Sequence, residues 1–227
     1  MNPKFNQDTY PGNPKILFIG WPESSHTHSW IDLLNGSGLN ARLFALPSTI
    51  PPEQWKVKTY ITAATSTKLD PETRLPIFPP PSPPSTRRGI ANALWKKAAQ
   101  QLDLANPATI EEALARVIRE WRPDIIHTLG LDPAGFFYQR TCDQFKVRGI
   151  GRWVAQIRGG PDLALNRYAP VTLEKIKAVF AGCDQIIADN QQNYDLAIHL
   201  GLDAQKIPPL GIVPGTGGMD VGELESK

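Results

Sequence analysis

Cysteine is scarce in this chain of 227 residues: only Cys142 and Cys183 occur, each within a stretch of helical patterning. Two isolated thiols so placed argue for buried, reduced side chains rather than a disulfide framework, and they make no cysteine-based zinc site credible. Long apolar runs are missing too. Residues 1–14 are polar, rich in Asn, Gln and Pro, and read as a flexible tail; no stretch reaches the roughly 18 apolar residues that a membrane helix needs. The chain is therefore expected to have neither signal peptide nor anchor and to be cytoplasmic, with a peripheral contact at the inner face of a membrane left open. An excess of one charge is also absent. With 24 Lys plus Arg against 22 Asp plus Glu, the net charge of +2 supplies no field for capturing nucleic acid. The basic pairs Arg87/Arg88 and Lys96/Lys97 read as solvated faces.

Several functional motifs are lacking as well. No G-x-x-x-x-G-K-[ST] phosphate loop and no G-x-S-x-G elbow exists, which argues against a nucleoside triphosphatase or an α/β hydrolase. Gly36-Ser37-Gly38-Leu39-Asn40-Ala41 matches G-x-G-x-x-A, but it follows a helical segment and leads into a strand, the reverse of the dinucleotide fingerprint, so it reads as a helix stop. Glu23, His26 and His28 have metal-ligating chemistry, but His-x-His without a further cluster is a weak zinc signal, and no metal is expected.

What is present is an alternation of two periods. Ile16–Ile19, Ile125/Ile126, Trp153–Ile157 and Ile186–Ala188 are near-continuously apolar, as strands covered on both faces are. Ala41–Leu46 and a run around Val57–Ala63 read as strands of more edge-like character. Between them Ile110, Leu114, Val117, Ile118 and Trp121 form a helical stripe, preceded by Asn106-Pro107 and by Thr109 with Glu112 three positions on, a capping box. Leu173, Ile176 and Phe180 form another stripe, ended by Gly182. Asn190 caps a third helix, which carries Tyr194, Ala197 and Ile198 and stops near Gly201. The order selects a single α/β domain over residues 15–222, a Rossmann-like doubly wound parallel sheet. One stretch breaks the rhythm: ten prolines fall between Pro47 and Pro84. Proline lacks an amide donor and restricts its predecessor, so this stretch is expected to leave the sheet, with a Pro-rich loop at 65–87.

In such a sheet ligands bind beyond the carboxyl ends of the strands, where the strand order reverses. The rule selects Gly20, Trp21 and His26 after the first strand, His127 after the strand at 124, Arg158, Gly159, Gly160 and Asp162 after the strand at 153, and Asn190 after the strand at 185. Imidazoles, a guanidinium, glycines and helix N-termini together suit a hydroxyl-rich or phosphorylated ligand. Trp30, in register with Ile31 and Leu34, reads as core, while Trp21 on the loop is the candidate for stacking on a sugar or base.

Five segments in order resemble a known family. They are Ile16-Leu17-Phe18-Ile19 followed by His26-Thr27-His28-Ser29-Trp30; Arg122-Pro123-Asp124-Ile125-Ile126-His127; Arg158-Gly159-Gly160-Pro161-Asp162; Cys183 to Asp189 with Leu200-Gly201; and Ile212-Val213-Pro214-Gly215-Thr216-Gly217-Gly218-Met219-Asp220. This series is similar to the N-terminal domain of family 4 (group 1) glycosyltransferases and covers residues 15 to 222. The resemblance implies the two-domain GT-B architecture, with an acceptor half and a nucleotide-sugar half. It further implies retention of anomeric configuration, a UDP- or GDP-sugar donor, no tightly bound cofactor, and a sugar, lipid-linked or other hydroxyl acceptor. It places the Gly20/Trp21 loop near the donor diphosphate, His127 and Arg158 near sugar or acceptor, and Gly217/Gly218 at the hinge. Two departures stand out. Arg158 occupies the place of the family's crevice histidine, and the donor-site pair of glutamates has no counterpart, since Glu223 and Glu225 lie too close together. Residues 223–227 then read as a tail or the start of a linker, with the donor domain as the missing partner and the chain by itself expected to be inactive. Two other readings are a non-catalytic flavodoxin- or receiver-like module and a GT-B sugar-nucleotide epimerase relative.

Overall fold

The computed structural model describes residues 3–62, 69–77, 109–159 and 161–213. Their elements run α1 (Pro3–Asn6), β1 (Lys15–Gly20), α2 (Ser25–Asp32), β2 (Asn40–Ala45), β3 (Lys58–Ile61), β4 (Arg74–Pro76), α3 (Ile110–Trp121), β5 (Ile125–Thr128), a π turn at Leu131–Gly135, α4 (Phe136–Phe145), β6 (Arg152–Ile157), α5 (Pro161–Ala164), α6 (Pro170–Gly182), β7 (Gln185–Ala188) and α7 (Gln191–His199). All seven strands join one parallel sheet in the order β4-β3-β2-β1-β5-β6-β7. This is the Rossmann-like α/β fold that the alternation of apolar runs and helical stripes predicts.

Side chains alternate across the sheet, so each strand feeds two cores. Leu17 and Ile19 of β1, Ile126 of β5 and Ala155 and Ile157 of β6 enter the larger cluster, which Leu114 and Ile118 of α3, Phe137 of α4 and Ile176 and Phe180 of α6 complete. Ile16 and Phe18 point the opposite way and pack with Ile31 of α2, Leu43, Trp55 and Leu129. The helix starts follow their caps: Thr109 accepts from the amide of Glu112 and Asn190 from that of Asn193. Both cysteines are buried and free, Cys183 just past the end of α6, and burial pushes its thiol up to about 11.

Three expectations need correction. The two runs read as edge-like, β2 and β3, are interior strands; among the described residues the edge on that side is β4, inside the proline-rich stretch. Pro76 ends that strand, where a missing amide costs the ladder least. Arg74 ties residues 52–57 to this strand by donating to the carbonyls of Val57, Pro52 and Trp55. The cluster Pro79–Pro84 and the Asn106-Pro107 pair lie outside the described residues. Second, the segment before β1 is anchored rather than loose, although most of its residues are exposed: Phe5 is fully buried, and Asp8 bridges Lys15 at 2.9 Å and Arg42 at 3.1 Å. Third, Ile198 does not join the buried stripe of its helix and is 44% exposed. No helix among the described residues is long and apolar enough to cross a membrane.

Candidate functional site

The chain runs outward from β1 through β2, β3 and β4, then returns to the other side of β1 as β5. The order reverses at β1 and β5, and the loops that follow these two strands are where open α/β sheets place ligands. Gly20 ends β1 there. A Cβ on it would stand 3.1 Å from Leu129 Cδ1 and 3.2 Å from Thr27 Oγ1, so its lack of a side chain lets α2 seat tightly over the strand end.

On the α2 side of the sheet this end is polar. His127 of β5 pairs in register with Val154 of β6, and Gln156 and Arg158 follow on the same face of β6 by the two-residue repeat. His127 packs between Phe18 and Trp30, 5.2 Å from each ring, edge-on to the indole. Burial, reinforced by the charge of Arg158, lowers the His127 pKa to about 3, so the imidazole is neutral at physiological pH. The Arg158 guanidinium is also lowered by burial, against the opposing pull of Asp162 and Asp189.

These groups share one property. His127 Nε2, Gln156 Nε2 and Oε1, Arg158 Nε and Nη2, Trp30 Nε1 and Thr27 Oγ1 are buried and have no hydrogen-bond partner. They are all the buried side-chain N and O atoms found unpartnered among the described residues. A buried polar atom left unmatched costs about 1–3 kcal/mol, and native interiors hold few of them. Here they are concentrated where the strand order reverses.

Neighbouring residues hold the loops in place. The carboxylate of Asp162 accepts from the amides of Leu131, Asp132 and Arg158, each at 3.0 Å. Gly130 makes this possible with φ +105 in the turn after β5. Burial raises the Asp162 pKa despite those amide bonds. Asp189 accepts from the Gly159 amide at 2.5 Å and from Asn190 and Asn193 at 2.8 Å. A Cβ on Gly159 would meet Asp189 Oδ2 at 2.9 Å.

Among the residues selected from sequence, His127 and Arg158 therefore come together, and Gly20 lies at the same end of the sheet, at the end of β1. Asp162, Gly159 and Asn190 stand beside them, with their polar groups engaged in holding loops and the cap of α7. Trp21 is partly buried against the larger core. His26 is exposed on the first turn of α2 and shares no ring contact or hydrogen bond with the buried group among the described residues. His28 Nε2 lies 2.8 Å from the carbonyl of Pro22, and its ring stacks on Trp55. No group of three metal-ligating side chains forms among the described residues. Gly160, Gly217 and Gly218 lie outside them. Trp30 packs against the smaller core, as its register with Ile31 and Leu34 predicts, while Gln156 and Thr27 were not among the residues selected from sequence. The available signal was a glutamine inside an otherwise apolar buried strand, which needs a partner.

No protein-family model matches the chain, and no curated protein does. Solved structures do. Anabaena HepE in complex with UDP-glucose superposes with a TM-score of 0.51 at 12% identity, over 92% of this chain and 45% of that one. HepE with UDP and glucose gives 0.51 at 14% identity, over 92% and 46%. A UDP-N-acetylglucosamine 2-epimerase gives 0.46 at 14% identity, over 86% and 47%. At such identities the likeness is one of fold: the chain has the Rossmann-like architecture of one half of a GT-B structure. It spans just under half the length of the structures it matches.

Proposed function

We propose that this chain is the acceptor-binding N-terminal half of a retaining glycosyltransferase that moves a sugar from a UDP- or GDP-sugar to a hydroxyl acceptor. The observation that carries the reading is the set of buried, unpartnered polar atoms of His127, Gln156, Arg158, Trp30 and Thr27 at the switch point. Sugars present closely spaced hydroxyls, each both donor and acceptor, and such a set matches them with donors from Trp30, Arg158 and the Gln156 amide and acceptors from Gln156 and Thr27. The shared fold with HepE, a protein solved with UDP-glucose and with UDP and glucose, supports a sugar-nucleotide reaction.

In this reading a neutral His127 is a poor base and an orienting group: it fixes an acceptor hydroxyl without bringing a second positive charge beside Arg158. The loop after β1, with Gly20, Trp21 and His26, is the one this reading assigns to the acceptor and the donor diphosphate. Asp162, Asn190 and Gly159 hold the loops. The donor half would stabilise the departing diphosphate, since catalysis in such sites is largely electrostatic.

Saturation-transfer NMR on the chain with glucose and with UDP tests the acceptor-side assignment. The expected result is saturation of sugar protons, lost in His127→Ala, with little on uridine. A uridine-selective response indifferent to His127, or robust sugar transfer by residues 1–227 alone, contradicts it.

A further inference from the structure

Arg158 departs from what a plain sugar site requires. Its Nε and Nη2 donors lie on one edge of the planar guanidinium, point in parallel, and are buried without partners. That edge is the fork that matches two oxygens of a phosphate or carboxylate, a geometry that a lysine ammonium cannot reproduce. Two carboxylates stand near enough to act on Arg158 through space, yet neither takes this edge. Asp162 spends its oxygens on the amides of Leu131, Asp132 and Arg158 itself, and Asp189 spends its own on Gly159, Asn190 and Asn193. The charge of the guanidinium is thus counterbalanced, while two of its directional donors are not. Gln156, two residues earlier on the same face, is fully buried and offers an unmatched donor and an unmatched acceptor. His127 adds Nε2 beside them.

Resting on the acceptor-side reading above, we propose that the acceptor is an anionic sugar, whose phosphate or carboxylate is read by the Nε–Nη2 edge of Arg158 while Gln156 and His127 bind its neighbouring hydroxyls. A phosphate and a carboxylate share the paired oxygens this edge requires, and the ligands tested separate them. An anion alone leaves Gln156 and His127 unmatched, and a neutral sugar leaves the Arg158 edge unmatched; an anionic sugar satisfies both.

The test is isothermal titration of the 227-residue chain, at fixed ionic strength, with glucose 6-phosphate, glucuronate, glucose, inorganic phosphate and UDP. Glucose 6-phosphate or glucuronate is expected to bind at least about tenfold more tightly than glucose, the increment of one charge-assisted bidentate contact. The tighter of the two names the anion. Inorganic phosphate binds more weakly than the phosphosugar, and Arg158→Gln and Arg158→Lys both bring the charged sugars toward the affinity of glucose. Glucose binding as tightly as the charged sugars overturns the anionic proposal and leaves the acceptor reading standing. UDP bound through Arg158 with no sugar bound overturns both, and inorganic phosphate bound as tightly as the phosphosugar overturns the joint recognition. Should the variants lose their cooperative melt, the wild-type Arg158 Nε–H resonance decides: it moves with the charged sugar and not with glucose, or the proposal fails.

Discussion

At the scale of single residues, His127 carries the clearest energetic signature. An imidazole in water titrates near 6.5, and in this protein burial first, then the charge of Arg158, lowers it to about 3. Its folded-state pKa lies below its unfolded one, so the unfolded chain binds the extra proton between those two values. Stability on this account is full above pH 6.5 and falls as pH drops toward 3, by at most about 1.4 kcal/mol per unit. Urea denaturation of wild type and His127→Gln between pH 4 and pH 8 checks this: the variant's stability is expected to vary less with pH. The same residue shows what was legible in the sequence. The rule that loops after parallel strands carry function finds Arg158 without any motif and reaches His127 by ending β5 two residues early, since the structure places His127 inside that strand. It passes over Gln156, which stands at the same depth in β6, and over Thr27 because a helix pattern does not reveal which hydroxyl has lost its partner.

At the scale of elements, the loops at the switch point are joined by carboxylates. Asp162 collects three backbone amides from the turn after β5 and the end of β6. An asparagine there keeps one acceptor oxygen and turns an N–H group toward donors. Asp162→Asn is expected to cost about 3 kcal/mol, since hydrogen bonds to a charged acceptor are the stronger kind. Chemical denaturation measures the loss, and a cost under about 1 kcal/mol would show that the amides find other partners. The strands and helices themselves were legible because they are long, apolar and capped by residues of known preference, as at Thr109 and Asn190. β4 was not. Three residues ending in a proline carry almost no periodic signal, and what recruits them is a tertiary contact, Arg74 donating to the carbonyls of Val57, Pro52 and Trp55.

Across the whole molecule, the unexpected feature is the docked N-terminal arm. Arg42, 3% exposed on β2, is held between Phe5 and Trp121, donates to Tyr60, and pairs with Asp8, which also accepts from the Trp121 indole. Burial raises the Asp8 pKa, but the hydrogen bonds from Trp121 and Lys15 and the charges of Lys15 and Arg42 outweigh it, so the net shift is downward. Its contribution is therefore present above the ordinary carboxylate range and is lost as pH falls through the depressed value. Deleting residues 1–9 removes the buried Phe5 side chain and the carboxylate that pairs with Arg42, and a loss of about 3–5 kcal/mol is expected in thermal or urea unfolding. An unchanged melt would return the segment to the status of a tail. The polar composition of residues 1–14 hid this arm, because its one buried anchor, Phe5, and its one paired carboxylate leave no pattern.

If the unpartnered polar atoms at the switch point bind a sugar, the indole of Trp30 reports it directly. The indole N–H groups of Trp55, Trp121 and Trp153 are bonded to Asp32, Asp8 and Thr128, whereas that of Trp30 is buried without a partner. In a ¹H–¹⁵N spectrum titrated with glucose 6-phosphate, the Trp30 indole resonance, assigned through Trp30→Phe, should move while those of Trp55 and Trp121 stay in place. A Trp30 signal that remains still under saturating glucose, glucose 6-phosphate and glucuronate would contradict the account.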